Sequence, residues 1–512
     1  MKNSILRACR FLLRGKFKDG LYDLYNTSSI RKRFAQVLIF CSIYLAQPGV
    51  ELAFPAGEDP RSEFLQAYYK ADYAAAHSLL NEVFQDPVTR EIWESRIHLQ
   101  EPIATCSSYD PGKESAHAMA YVRIGNFEKA KQHFTDDWLS CWGAATLSFW
   151  RHDLQTARQK IQEALILLPE RPELLFFAGD VAGNQQQTID CFTKFLAVPS
   201  EDAVKRSVAE FSIEFLKKTA GIDVNHVTVQ PGIQELDTDY NYSTGITIRA
   251  QVDTEKKLRL MVDTGAASGM VLEKRNWKPQ AEAETVMLGL GKKQISNTKR
   301  LVLGELIAGP FTIRNPVAAS SGSMPHPDIQ GLIGSALFST HKIVLPVRSG
   351  KKMVLIPYDQ DPFEYFQQNK MKFSKQETVP FSMINKLILI KGRIEKSDPD
   401  MDILLDTGSD VSLISVALAR KEELINYPFS LQMRKQMSIK GVGGTADNLL
   451  IAENVEVSIA GISKSFNRML AVNFAETSEA LDLELDLLLG RDFLQGYTLL
   501  IDYKNLQLSF LK

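Results

Sequence analysis

At 512 residues, 45% of them hydrophobic and 23% charged, the chain is too long for one ordinary domain and apolar enough to bury more than one core. A formal net charge of −2, with no basic stripe interleaved with aromatics, gives no reason to expect a nucleic-acid partner. The five cysteines, at 9, 41, 106, 141 and 191, exclude a disulfide scaffold, and none beyond 191 leaves no cysteine-based metal site in the C-terminal half.

Residues 1–56 read as a targeting or membrane segment. Arg31, Lys32 and Arg33 stand directly before an apolar run from Phe34 to Ala46. That run has the length of a signal-peptide core and is short for a membrane span. Its basic flank fits insertion with the start of the chain in the cytoplasm. The expectation is an exported or membrane-anchored protein of a bacterial periplasm or cell envelope, touching the membrane through residues 34–46. The leader is long, and no small-x-small site follows: Tyr44 precedes Ala46 and Glu51 precedes Ala53. An ordinary amphipathic helix is the alternative.

Residues 57–222 read as helical. In "DLQTARQKIQEALILLPE", Leu154, Ala157, Ile161, Leu165 and Leu168 recur at three- and four-residue steps until Pro169 ends the run. The turns "ADYAAAHSLL", "GNFEKAKQHF", "HDLQTARQKI" and "GNQQQTIDCF" set a bulky residue ahead of a small one: Tyr73 with Ala76, Phe127 with Ala130, Leu154 with Ala157. This resembles degenerate tetratricopeptide repeats at irregular intervals. An unrelated all-helical domain is the alternative. The resemblance implies a scaffold for a protein partner and no chemistry of its own.

From residue 225 the pattern changes to strands. "GITIRAQV" alternates Ile246, Ile248, Ala250 and Val252, and a polar turn leads into "LRLMVDTG". Further on, "INKLILIKGRIE" turns through "KSDPDMD" into "ILLDTG". "GLIGSALF" (Gly331 to Phe338) is answered by "LLLGRDFL" (Leu487 to Leu494), and a terminal hairpin follows each. Elements recurring in the same order make an internal duplication. Its copies span 225–358 and 377–512, and the polar stretch 359–376 reads as a linker.

A lone Asp-Thr-Gly is an ordinary turn, because Asp and Thr accept local hydrogen bonds and Gly adopts positive φ. Two copies, each at the end of an apolar strand and each answered downstream by apolar-apolar-Gly, carry more information. Over residues 240–512 the pattern resembles the retroviral-type (retropepsin-like) aspartic peptidases. The resemblance implies a multidomain chain in which the helical region precedes two all-β acid-protease lobes forming a pseudo-dimer. It implies a catalytic dyad of Asp263 and Asp406, 143 positions apart (406 − 263), supported by Thr264, Gly265, Thr407 and Gly408. Gly441, Val442, Gly443 and Gly444 would form a flap over the substrate, and Gly289 and Gly291 a thinner counterpart. Gly334 and Gly490 would be the structural glycines of the apolar-apolar-Gly strands.

Two carboxyl groups held together cannot both ionise readily, so one activates water while the other protonates a carbonyl oxygen. The implied activity is endopeptidase hydrolysis of extended polypeptide segments, with no cofactor and no metal. The implied assembly is a monomer with its lobes paired within the chain; pairing in trans is the alternative. A catalytically silent peptide-binding protein with partner-binding helices is the alternative from another class. The sequence departs from the family in its acid-to-glycine spacings, 71 (334 − 263) and 84 (490 − 406), and in having Ser335 where the second copy has Arg491. That arginine supports the family's dimer interface, so half of the support is expected to be missing.

Other chemistries fit poorly. There is no H-E-x-x-H, and His326 sits in a proline-bounded stretch. Ser409, Ser412 and Ser415 lack a G-x-S-x-G elbow. "GVGG" lacks the Lys-Ser/Thr of a phosphate cradle. Pairing of Cys106 with Cys141 stays open.

Overall fold

Ala71-Asp72-Tyr73, Gly125-Asn126-Phe127 and His152-Asp153-Leu154 are one turn made three times in the computed structural model. The first residue of each takes a left-handed φ, of 58°, 76° and 60°. The second caps a helix, its side chain accepting from the backbone N–H of Ala75, Lys129 or Thr156. Four residues beyond each cap, Ala76, Ala130 and Ala157 are fully buried, as close packing between helices requires. Asn184 caps Gln185–Ala197 in the same way. The intervals are irregular partly because Trp138–Trp150 begins from a different turn, capped by Asp137. Neighbouring helices pack in pairs, Trp138–Trp150 on Leu154–Leu167 and Pro172–Asp180 on Gln185–Ala197.

The structure describes residues 60–512 except 101–113, 201, 254–256, 268, 288–293, 323, 349–351, 395–400, 426–438, 442–443 and 447–448. The apolar run 34–46 and Cys106 therefore lie outside the described residues, as do Gly289, Gly291, Val442 and Gly443. Among the described residues no helix is long and apolar enough to cross a membrane.

The β-rich part repeats one topology. Leu258–Asp263 returns antiparallel from Gly245–Val252 and runs parallel to Gly331–Gly334. Gly331–Gly334 also pairs antiparallel with Met270–Glu273, the strand after the acid. In the second half, Met401–Leu405 returns from Leu387–Ile394 and runs parallel to Leu487–Leu489. Leu487–Leu489 pairs antiparallel with Leu413–Ser415. Each acid turn is thus clamped by strands on both sides.

A sheet made from both halves joins them. Its order is Gln376–Ile384, Gln507–Leu511, Thr498–Asp502, Lys342–Pro346, Lys352–Ile356, Gln234–Asn241, antiparallel throughout. At the junction Val344 faces Leu500 and Ile343 faces Ile501. One apolar core runs through both halves, from Leu236 to Phe510.

Two expectations about boundaries change. Stretch 359–376, read as a polar linker, carries the helix Pro362–Gln368, capped by Asp361, with Tyr365 and Phe366 buried against Val354 and Ile356. The Asp-Pro start signal was present, but the surrounding polar residues masked the short apolar face. The helical region also shares a core with the second half: Trp142, Ala145 and Leu174 belong to one cluster with Leu387, Leu404 and Leu488. Polar contacts reinforce it. Arg96 Nε and Gln100 Nε2 each donate to Glu484 at 3.0 Å, and Lys391 Nζ reaches Gly125 O at 2.8 Å.

Candidate active site

Asp263 is the last residue of its strand, and Asp406 follows directly on Met401–Leu405. In the first half Gly334 stands opposite Asp263 in register. In the second the Asp406 N–H donates to Leu489 O at 3.0 Å. A side chain on either structural glycine would be obstructed. A β-carbon at Gly334 would stand 2.6 Å from Ala266 O, and one at Gly490 would stand 2.5 Å from Val411 O. Without side chains there, the glycine strands can lie against the acid turns.

The threonines lock the two turns together reciprocally. The Thr264 N–H donates to Thr407 Oγ1 (3.1 Å), and the Thr407 N–H donates to Thr264 Oγ1 (3.0 Å). Thr264 Oγ1 donates to Leu405 O (2.7 Å) and Thr407 Oγ1 to Val262 O (3.0 Å). All four bonds cross from one half to the other, and both threonines are buried. Each hydroxyl both donates and accepts, so neither is left unsatisfied.

Between these turns the Asp263 and Asp406 carboxyl groups lie close enough that each alters the titration of the other. Burial, and next the charge of Asp406, raise Asp263 well above the usual carboxylate range. Burial raises Asp406 as well, against opposing hydrogen bonds. The difference follows from the donors. Asp406 Oδ1 accepts the N–H groups of Gly408 (2.8 Å) and Ser409 (3.1 Å), whereas Asp263 Oδ1 accepts that of Gly265 alone (2.7 Å). N–H donors favour the ionised form, so this donor pattern favours the charge on Asp406 and a proton on Asp263.

Two further residues support the turns: Arg491, which the resemblance implied at the interface, and Ser412, which it did not. Arg491 is fully buried and donates to the carbonyls of Thr407, Gly408 and Tyr242, each at 2.8 Å, as well as to Asp410. It ties the second acid turn to the first half. Its counterpart Ser335 meets Tyr503 instead, hydroxyl to hydroxyl at 2.6 Å, so the support is asymmetric. Ser412 joins acid turn to glycine strand: its Oγ donates to Asp492 Oδ1 (2.6 Å) and accepts the Gly490 N–H (3.0 Å). Ser409 and Ser415 serve the backbone, at Val411 O and at the helix Val416–Lys421.

The flap residues are described in part. Ile439–Gly441 and Gly444–Ala446 form a two-stranded hairpin, with Gly441 opposite Gly444. In the first half Ala281–Met287 and Gln294–Val302 pair on either side of the stretch holding Gly289 and Gly291. That hairpin has the longer arms, although its glycine pattern was the thinner match. His326 accepts a local backbone bond from Asp328. Among the described residues no group of His, Cys, Asp and Glu is arranged to hold a metal. Cys141 is buried and unpaired.

No protein-family model matches the chain, and no curated protein does. Among solved structures, an aspartic proteinase from Irpex lacteus is similar at 13% identity, covering 55% of this chain and 97% of that one, with a TM-score of 0.33. Basic 7S globulin from soybean is similar at 12% identity, covering 56% and 95%, with a TM-score of 0.30. Conglutin gamma, a basic 7S globulin from lupine seeds, is similar at 12% identity, covering 55% and 95%, with a TM-score of 0.32. The chain joins a helical N-terminal part to a β-rich part built twice on one topology. At these scores the likenesses add nothing about activity, and any functional reading rests on the two acids.

Proposed function

We propose that the chain is an aspartic endopeptidase that hydrolyses extended polypeptide segments, its two β halves acting as a covalent pseudo-dimer. The observation that carries this reading is the carboxyl pair itself, a buried Asp263 and a half-buried Asp406 brought together by duplicated turns. A fold needs no such pair for stability, since bringing like charges out of water is costly. Perturbed acids of this kind are characteristic of acid–base sites.

Asp406, the ionised member, takes a proton from a water molecule as its oxygen attacks the scissile carbonyl carbon. Asp263, the protonated member, gives its proton to the carbonyl oxygen. The tetrahedral diol collapses when the proton on Asp406 passes to the leaving nitrogen and Asp263 recovers its own from the diol. The chain ends as it began, with one proton on the pair. The hairpin at Gly441 and Gly444 serves as the lid, and main-chain hydrogen bonding to an extended substrate makes recognition tolerant of sequence.

The test is cleavage of an unfolded protein by the purified chain from about pH 3 to 8, alongside Asp263→Asn. Loss of cutting in the variant, at an unchanged melting temperature, supports the reading. Equal cutting by both rejects it.

A further inference from the structure

Away from the dyad, the helices and the second half line a half-open cavity of about 1420 Å³. This exceeds the roughly 300–1,000 Å³ of a small-ligand pocket, so it has room for several residues of a chain. Its cationic walls are largely committed. Arg96 is held by Glu484 at 2.9 Å, Arg123 by Asp482, and Arg171 by Asp86 and Glu173 at 2.7 Å each.

Asp180 is not committed. It ends the helix Pro172–Asp180, lines the cavity and is open to it, yet makes no hydrogen bond or ion pair among the described residues. The cation facing it, Lys205, is shared at longer range with Asp482 (3.7 Å) and Asp202 (3.9 Å). Glu173 adds a further negative charge beside Lys205, and Arg123 the other positive one. The last carbonyls of the helix contribute negative potential at the same end. Phe176 and Phe177 precede Asp180 by four and three residues, hence share its helix face, and both line the cavity. A carboxylate lacking a close cation, beside aromatic rings, suits an ammonium or guanidinium carried on a methylene stem.

We propose that this cavity binds a polypeptide segment through a lysine or arginine side chain, its charged head on Asp180 and its stem against Phe176 and Phe177. The interaction is independent of hydrolysis, and its test separates the two. The full chain carrying Asp263→Asn, so that no probe is cut, is titrated with a blocked six-residue peptide holding one lysine among alanines, and with its norleucine counterpart. Trp138 and Trp142 line the cavity and report binding by fluorescence.

At pH 8 the lysine peptide is expected to bind saturably and at least about tenfold more tightly than the norleucine peptide, a difference of about 1.4 kcal/mol. The preference should vanish when Asp180→Asn is added without a change in melting temperature. Equal binding of the two peptides, absence of saturable binding, or a preference that survives Asp180→Asn would each overturn the proposal. The comparison of peptides needs no substitution at Asp180, so it decides the matter even if that variant folds poorly.

Discussion

The α-carbon of Gly408 lies so close to the Asp263 carboxyl group that a β-carbon on it would stand 2.5 Å from Asp263 Cγ. The relation is mutual, for one on Gly265 would stand 2.7 Å from Asp406 Cγ. Each turn therefore supplies an acid and makes space for the acid of the other. Gly408→Ala is expected to push the carboxyl groups apart and to lower the cleavage rate by at least about 100-fold, the scale of a 1 Å misplacement. Steady-state cleavage beside a melting curve checks this. A variant that cuts at the normal rate would show that the close approach has no part in the chemistry.

Thr407→Val removes the hydroxyl that accepts the Thr264 N–H and donates to Val262 O. Both partners would be left buried without a bond, at about 1–3 kcal/mol each. Thr407→Ser keeps the hydroxyl and should recover most of the loss. Urea unfolding of the three proteins gives the comparison, with valine well below serine as the expected order. Equal stabilities would mean that the cross-links contribute nothing net.

Stability should also respond to pH through Asp486, which sits behind the Asp406 strand. Burial, and then nearby Asp402, push its carboxyl up from 3.8 to about 7. Between those values the folded chain holds a proton that the unfolded chain has released. The stabilising contribution is therefore complete below about pH 4 and is lost as pH rises through about 7, at about 1.4 kcal/mol per unit. Asp486→Asn stays neutral throughout, so its stability relative to the parent should rise between pH 4 and 8. Melting temperatures at the two ends test the sign, and a constant difference would remove Asp486 as the cause.

The acids and their glycines were legible in the sequence because duplication makes a weak motif strong. Asp-Thr-Gly means little once, but "LMVDTG" answered by "GLIG" and "ILLDTG" answered by "LLLG" carry the strand pairing that sets Gly334 opposite Asp263. The helix starts were legible for local reasons, since a bulky residue and a small one three positions on recur after each turn. What the sequence concealed is long-range. The Tyr68 hydroxyl bonds Glu484 across 416 positions, and Arg491 reaches Tyr242 O across 249. No periodicity marks such partners, so the helical part read as a separate scaffold although its core continues into the second half. The preference for a proton on Asp263 was hidden for a similar reason, because it depends on how many N–H groups each carboxylate receives.

Complementation by mixing asks directly whether one dyad is assembled from the two halves of one chain. Cleavage of an unfolded protein is measured for the full chain, for Asp263→Asn, for Asp406→Asn, and for an equimolar mixture of the two variants. With the dyad formed within each chain, the parent should cut, each variant should be inactive, and the mixture should stay inactive, because neither chain retains both acids in one site. Activity restored in the mixture would mean that the halves pair between chains. Cutting by either variant alone would contradict the shared dyad.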